Sequence, residues 1–357
     1  MLRRGWTTGA CAAAAAKAAL AALLTGRFPD PVAIRLPGGQ CPSFPLALAE
    51  LADGRARAGI VKDAGDDPDV THGALIVAVL AWGPPGSGIR FRAGEGVGTV
   101  TRAGLPLAVG EPAINPAPRA MIAAALSEEA AANGCAAPPD VVATISIPGG
   151  ERLAERTMNA RLGIVGGLSV LGTTGVVVPY SCASWIHAIQ RGIDVARAAG
   201  LDHIAAATGS VSERTVQRLY DLPEHALIDM GDFVGGTLKY LRRKPVPFVT
   251  LAGGFAKLAK LAQGQLDLHS SRSRVDVPAL SGLLAAIGAE PQAVTAAAES
   301  AGASEVLAHA GRHAPALSAA VAGRAREVAL ATLSGGSAVE VAVVGRDGAL
   351  LARVGGP

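Results

Sequence analysis

The stretch that most restricts the fold lies between residues 201 and 254, where apolar runs end one after another in glycine-containing loops: LDHIAAATGS, HALIDMGDFVG and VPFVTLAGG. A helical pattern over residues 185–199 precedes the first run, and helical patterns over 213–222 and 255–263 follow the first and third. Strand, tight loop and helix repeated in this order predict a mostly parallel sheet with helices on its faces. In such sheets ligands bind beyond the carboxyl ends of the strands. Gly209 and Ser210, then Asp229, Gly231 and Asp232, then Gly253 and Gly254 become candidate cofactor-binding residues. An acid at a strand end can hold ribose hydroxyls, although each aspartate taken alone could equally cap a helix.

A chain of 357 residues exceeds one ordinary core and predicts two domains. Residues 136–140, with Pro138-Pro139, read as the break. The expected fold is α+β / α/β. Residues 1–140 form an N-terminal α+β domain with a mixed β-sheet, on the substrate side. Residues 141–357 form a C-terminal α/β domain with a mostly parallel, Rossmann-like sheet, on the cofactor side. It closes in helices and an edge hairpin over 339–344 and 349–354, turning at Asp347-Gly348. Aromatics at 3% and a net charge of +3 without a Lys/Arg block argue against nucleic acid as a partner. Cys11, Cys41, Cys135 and Cys182 show neither a CxxC pair nor zinc spacing, which predicts reduced thiols and a cytoplasmic location. Arg3-Arg4 before an alanine run imitates an export signal, but Lys17 interrupts the run and no clear cleavage site follows. No uninterrupted apolar stretch reaches membrane-spanning length, so no membrane partner is expected either. Self-association into a homo-oligomer is left open.

In WTTGACAAAAAKAALAALL, Thr7 or Thr8 can cap a helix over residues 9–24, and a helix start beside two hydroxyls can hold a carboxylate or phosphate. KDAGDDPDVTHG places Asp63, Asp66, Asp67 and Asp69 in one loop beside Lys62, at a spacing that does not match an EF-hand. It reads either as a turn whose aspartates bond their own backbone or as an acid-base cluster built on Asp63, Asp66 and Asp67. Residues 94–122 carry enough Pro and Gly to forbid long regular elements before a helix over 119–133. There Arg102, Glu111, Asn115 and Arg119 can face a cleft, and the two arginines suit a polycarboxylate. Arg156 and Arg161 follow in a polar run after the strand over 141–147. That run leads into GIVGGLSVLGTTGVVVPYS, where Gly166, Gly167, Thr173 and Thr174 suit a strand that breaks into a ligand-facing loop and resumes. Tight turns between buried strands would give the same spacing. The strand-end loops are expected to cluster with this stretch.

WTTGACAAAAAKAA, VKDAGDDPDVTHGA, GEGVGTVTRAGLP, GEPAINPAPRAMI, TMNARLGIVGGLSVLGTTGVVVPYS, ATGSVSE and DMGDFVG resemble, in order, the signature blocks of the CbiD family, cobalt-precorrin-5B methyltransferases of anaerobic cobalamin biosynthesis. The resemblance covers residues 6 to about 275 and is weak after Pro278. One block departs: Gly253-Gly254-Phe255-Ala256-Lys257-Leu258 lacks the histidine the family tends to show, whereas His269 and Ser270 match its closing pair.

The resemblance implies methyl transfer from S-adenosylmethionine to carbon 1 of a tetrapyrrole, giving cobalt-precorrin-6A, with cobalt only as part of that substrate and no metal held by the protein. Glycine loops and Asp229 or Asp232 would then hold the donor. Thr7, Thr8, Lys62, Arg102, Glu111, Asn115, Arg119, Arg156 and Arg161 would line the substrate side. Two other readings suit the residues alone: a nicotinamide-dependent oxidoreductase, although no GxGxxG opens a helix after a strand, and a non-catalytic corrinoid carrier.

Overall fold

Helix α1 (Thr8–Thr25) is the axis of the N-terminal half. Alanines fill most of it and fourteen of its residues are buried, because side chains of one carbon let neighbouring backbones close in on every side. The Thr7 hydroxyl accepts from Ala10 N at 3.2 Å, and Gly26 ends the helix at φ +75°, its N–H bonded to Ala22 O. By length and composition this helix, interrupted only by Lys17, is apolar enough to cross a membrane. In the fold it is the core helix against which a five-stranded sheet and a second helix pack.

The computed structural model describes residues 2–135 and 138–356, and divides into the units Met1–Ser181 and Cys182–Pro357. In the first unit the sheet holds β1 (Leu48–Ala52), β2 (Arg55–Val61), β3 (Leu75–Trp82), β4 (Ile89–Ala93) and, after α2 (Pro116–Ala132), β5 (Val141–Ser146). Its order is β1-β2-β3-β5-β4, antiparallel except for the parallel pair of β5 and β4. Ala56, Ala58 and Ile60 on β2 and Val141, Ala143 and Ile145 on β5 alternate inward into one core with α1.

This placement of β5 corrects the domain boundary expected at residue 140. The strand's apolar face completes the first sheet, so the first unit extends to Ser181. Of the proposed break, Ala136 and Ala137 lie outside the described residues. Residues 163–181 therefore belong to the first unit. They form two-residue strands instead of two long ones: Ile164–Val165 pairs with Thr99–Val100, and Val176–Val177 with Gly5–Trp6.

The second unit runs α3 (Cys182–Ala198), β6 (His203–Ala207), α4 (Ser210–Tyr220), β7 (Leu227–Asp229), α5 (Val234–Arg243), β8 (Phe248–Gly254) and α6 (Phe255–Ala262). The short helices α7 (Val277–Ala286), α8 (Pro291–Ala298) and α9 (Ala303–His309) lead to α10 (Ala314–Leu333), and the hairpin β9 (Ala338–Val344) and β10 (Leu350–Val354) closes the unit. The sheet order β7-β6-β8-β9-β10 is parallel except for the β10 edge. Counted within the unit this is 2-1-3-4-5, one of the doubly wound orders, and not the 3-2-1-4-5-6 order of dinucleotide folds. Ala205, Ala207, Ala252 and Ala342 pack with Leu227 and Val216 of α4 on one face. Ile204, Ile228, Val249, Leu251, Val339, Val341 and Val343 face the larger cluster with α3, α5, α6 and α10 on the other. Methyl-sized residues on the first side let a single helix lie close to the strands.

Candidate functional site

The aspartate loop is tied to the start of the chain. Trp6 N donates to Asp63 O at 2.7 Å and Asp66 N to Arg3 O at 3.0 Å, while Gly5 stands where any Cβ would strike the Ala64 and Gly65 backbone. Arg3 forks onto both oxygens of Asp63, at 2.9 Å for Nη2 to Oδ1, and Gly65 N adds 2.9 Å to the same oxygen. The Arg3 guanidinium and then the Gly65 amide pull the Asp63 carboxyl down to about 2. Asp63 thus braces the loop to the start of the chain.

Lys62 is only 1% exposed, and its Nζ donates to Asp69 Oδ2 at 2.7 Å. Burial resists ionisation of Asp69, but Lys62 and the Thr71 hydroxyl outweigh it and hold the carboxyl below its ordinary value. In this structure Lys62 is therefore buried and turned to Asp69. Asp66 and Asp67 are each bonded through one oxygen, to Arg3 N at 2.6 Å and Tyr180 N at 2.8 Å. Both line a cavity of about 450 Å³ with Gly65, Pro68, Asp69, Val70, His72 and Arg156. His72 Nδ1 accepts from Ala64 N at 3.1 Å, so the neutral ring carries its proton on Nε2. In the sequence His72 is marked only by its place three residues after Asp69 in the same loop.

The other expected substrate contacts divide sharply. Thr8 Oγ1 accepts from Leu171 N at 2.8 Å and donates to Leu171 O, and Gly9 N donates to Leu171 O at 2.9 Å, so the chain itself closes the α1 N-terminus. Thr7 is spent on its cap. Arg119 pairs with Glu111 at 2.7 Å, donates to Ile114 O at 2.8 Å and Pro112 O at 3.1 Å, and lies over Phe91. These two therefore clamp the 94–122 loop. Asn115 begins α2 without a side-chain cap, its own N–H going to Val170 O. Arg102 lies across Gly163, and its buried Nη1 has no hydrogen-bond partner. Arg161 is half-buried just before that glycine. Among these basic residues only Arg156 lines the cavity.

The glycines of residues 163–181 are used internally. A Cβ at Gly167 would strike the Gly96 backbone, at Gly172 the Thr7 side chain and at Gly175 Leu36. Gly166 alone of the expected pair opens to space, while exposed Thr173 and Thr174 sit at the loop tip and Thr174 Oγ1 bonds Val176 O. Gly167 thus serves a close crossing of the Gly96–Val97 backbone.

In the second unit Ala207 and Asp229 are register partners at the carboxyl ends of β6 and β7. Gly209 precedes α4, which has no side-chain cap, and Ser210 begins it. A Cβ at Gly209 would meet no atom within 4 Å. Gly254 is nearly as open, whereas Gly253 backs onto Thr208. Asp232 is paired with Lys257, which also donates to Leu268 O at 3.3 Å; in the sequence Lys257 stands out only as part of the departing block 253–258. Glu213 occupies the first turn of α4.

The fold is thus a mixed α/β one, a helix-backed mixed sheet followed by a doubly wound sheet open at its carboxyl edge. Residues 1–179 match the family model CbiD, and residues 267–355 match the CbiD C-terminal domain. A relative from Paramagnetospirillum magneticum is 64% identical over 86% of this chain and 85% of its own length. Relatives from Brucella anthropi and Bradyrhizobium sp. are 58% and 60% identical, each over 99% of this chain and over 96% and 93% of their own. All three bear the name cobalt-precorrin-5B C(1)-methyltransferase. A crystal structure of a cobalamin biosynthesis protein (cbiD) from Archaeoglobus fulgidus is 28% identical, with a TM-score of 0.42, over 76% of this chain and 83% of that one. The chain belongs to the CbiD family.

Proposed function

We propose that this protein methylates carbon 1 of cobalt-precorrin-5B with S-adenosylmethionine as donor, giving cobalt-precorrin-6A in cobalamin biosynthesis. The observation that carries the reading is identity of 58–60% over 99% of the chain to relatives named for that reaction. S-adenosylmethionine supplies the methyl group on a sulfonium that departs as a neutral thioether, so no acid is needed at the leaving group. Rate then rests on alignment of the reacting atoms and exclusion of water. On the donor side, the open space at Gly209, the uncapped start of α4 at Ser210, Asp229 at the β7 end and the open Gly254 suit a nucleoside. Gly231 and Asp232 shape the same loop, Asp232 through Lys257. No GxGxxG opens a helix after a strand, which counts against the nicotinamide alternative.

On the substrate side, Arg156 and the Nε2–H of His72 are donors for a carboxylate arm of the macrocycle, with Asp66 and Asp67, which line the same cavity, as acids to accept a proton. Arg102, with an unused guanidinium N–H, is a second anchor. The test is anaerobic incubation with methyl-labelled S-adenosylmethionine and cobalt-precorrin-5B. Label in the macrocycle is expected; tight binding of the corrinoid without transfer would establish the carrier instead.

A further inference from the structure

We infer that Trp185 is the stacking platform for the purine base of the methyl donor, an inference that rests on the donor assignment above. Trp185 lies in the first turn of α3 and is 47% exposed in a chain with three tryptophans. It is held from several sides. Its Nε1–H donates to the Asp229 carbonyl at 3.2 Å, and its ring meets Phe233 with centroids 6.3 Å apart at 44°. Gly231, at φ +51°, passes so near that a Cβ there would stand 3.4 Å from three ring atoms. A tryptophan left on a surface by chance has no need of a polar anchor, an aromatic neighbour and a left-handed glycine beside it. An indole fixed through its N–H presents apolar area at little entropic cost.

Position supplies the ligand. Asp229 is the last residue of β7, at the carboxyl edge where ligands bind in open α/β sheets, and it follows Gly209 of the neighbouring strand-to-helix loop by twenty positions. Trp185 is hydrogen-bonded to that same residue. A ribose held at Asp229 therefore carries its base into the neighbourhood of the indole, and the purine is the one flat group of a sulfonium nucleoside. The methionine end offers nothing to stack.

The experiment titrates S-adenosylhomocysteine into the full chain, wild type, Trp185→Ala and Trp185→Phe, by calorimetry and tryptophan emission. Trp6 and Trp82 remain as background in both variants. Wild type should bind with a change in emission, adenosine should compete, and W185A should bind about 5- to 150-fold more weakly. Trp185→Phe keeps a flat ring. It should bind within about tenfold of wild type, as expected for stacking partly retained, yet lose the emission change. If W185A does not fold, W185F alone decides, and an emission change that survives in it overturns the inference. Folded W185A that binds as tightly as wild type overturns the stacking role and leaves the donor assignment standing. No binding of S-adenosylhomocysteine to wild type overturns the donor assignment and this inference with it.

Discussion

Gly209 and Gly172 look alike in the sequence and do opposite things. Gly209 has φ 172°, extended backbone open to any residue, and empty space where a Cβ would go. Gly209→Ala should leave stability within about 0.5 kcal/mol, as for a substitution that touches nothing. It should nevertheless weaken S-adenosylhomocysteine binding by about tenfold or more, about 1.4 kcal/mol, if a ligand approaches there. Unchanged affinity by calorimetry would remove Gly209 from the donor site. The aspartates separate in the same way. Asp69→Ala strands the buried Lys62 charge and should cost about 3–5 kcal/mol in urea unfolding. Asp63 has a different signature. Its folded value of about 2 lies below the ordinary 3.8, so the stability it adds is complete above pH 4 and lost as pH falls from about 4 towards 2. Asp63→Asn should flatten acid unfolding across that window, read by circular dichroism; an unaltered profile would mean the Arg3 brace contributes nothing in solution.

Among the elements, α1 was readable because capping and alanine propensity are local: the expected 9–24 became Thr8–Thr25 with Thr7 as the cap. The three strand-loop units and the closing hairpin were readable for the same reason. Helix α5 was passed over because Gly235 and Gly236 sit in its first turns, and its amphipathic face shows only once Val234, Leu238 and Leu241 are seen packed together. Residues 163–181 misled in the other direction. Alternating glycine and β-branched residues imitate a strand, but the glycines are there so that Gly96, Thr7 and Leu36 can cross the chain at close range. Gly172→Ala, at φ +121° and against Thr7, should therefore destabilise by about 1–3 kcal/mol through overpacking, seen as a lower urea midpoint.

For the whole molecule, the position of the unit boundary has a direct consequence. A fragment ending at residue 140 lacks β5, the strand between β3 and β4, and leaves β4 with no partner in the sheet. Residues 1–181 expressed alone should unfold cooperatively, whereas residues 1–140 should not; calorimetry on the two fragments decides. A cooperative transition in the shorter fragment would restore the boundary at 140.

Propensity, capping and apolar period act over a few residues, and so the helices, the parallel sheet and the glycine-ended strand edge of the second unit could be read directly from the chain. The candidate site was legible only as a set of residue types. Asp63, Asp66, Asp67 and Asp69 are equivalent in one dimension; they differ because Arg3, Tyr180 and Lys62 reach different oxygens. The first two partners lie roughly sixty to over a hundred positions away. Which acids brace the loop and which face a cavity is set by contacts that exist only after distant segments have packed, and a periodic pattern carries no record of them.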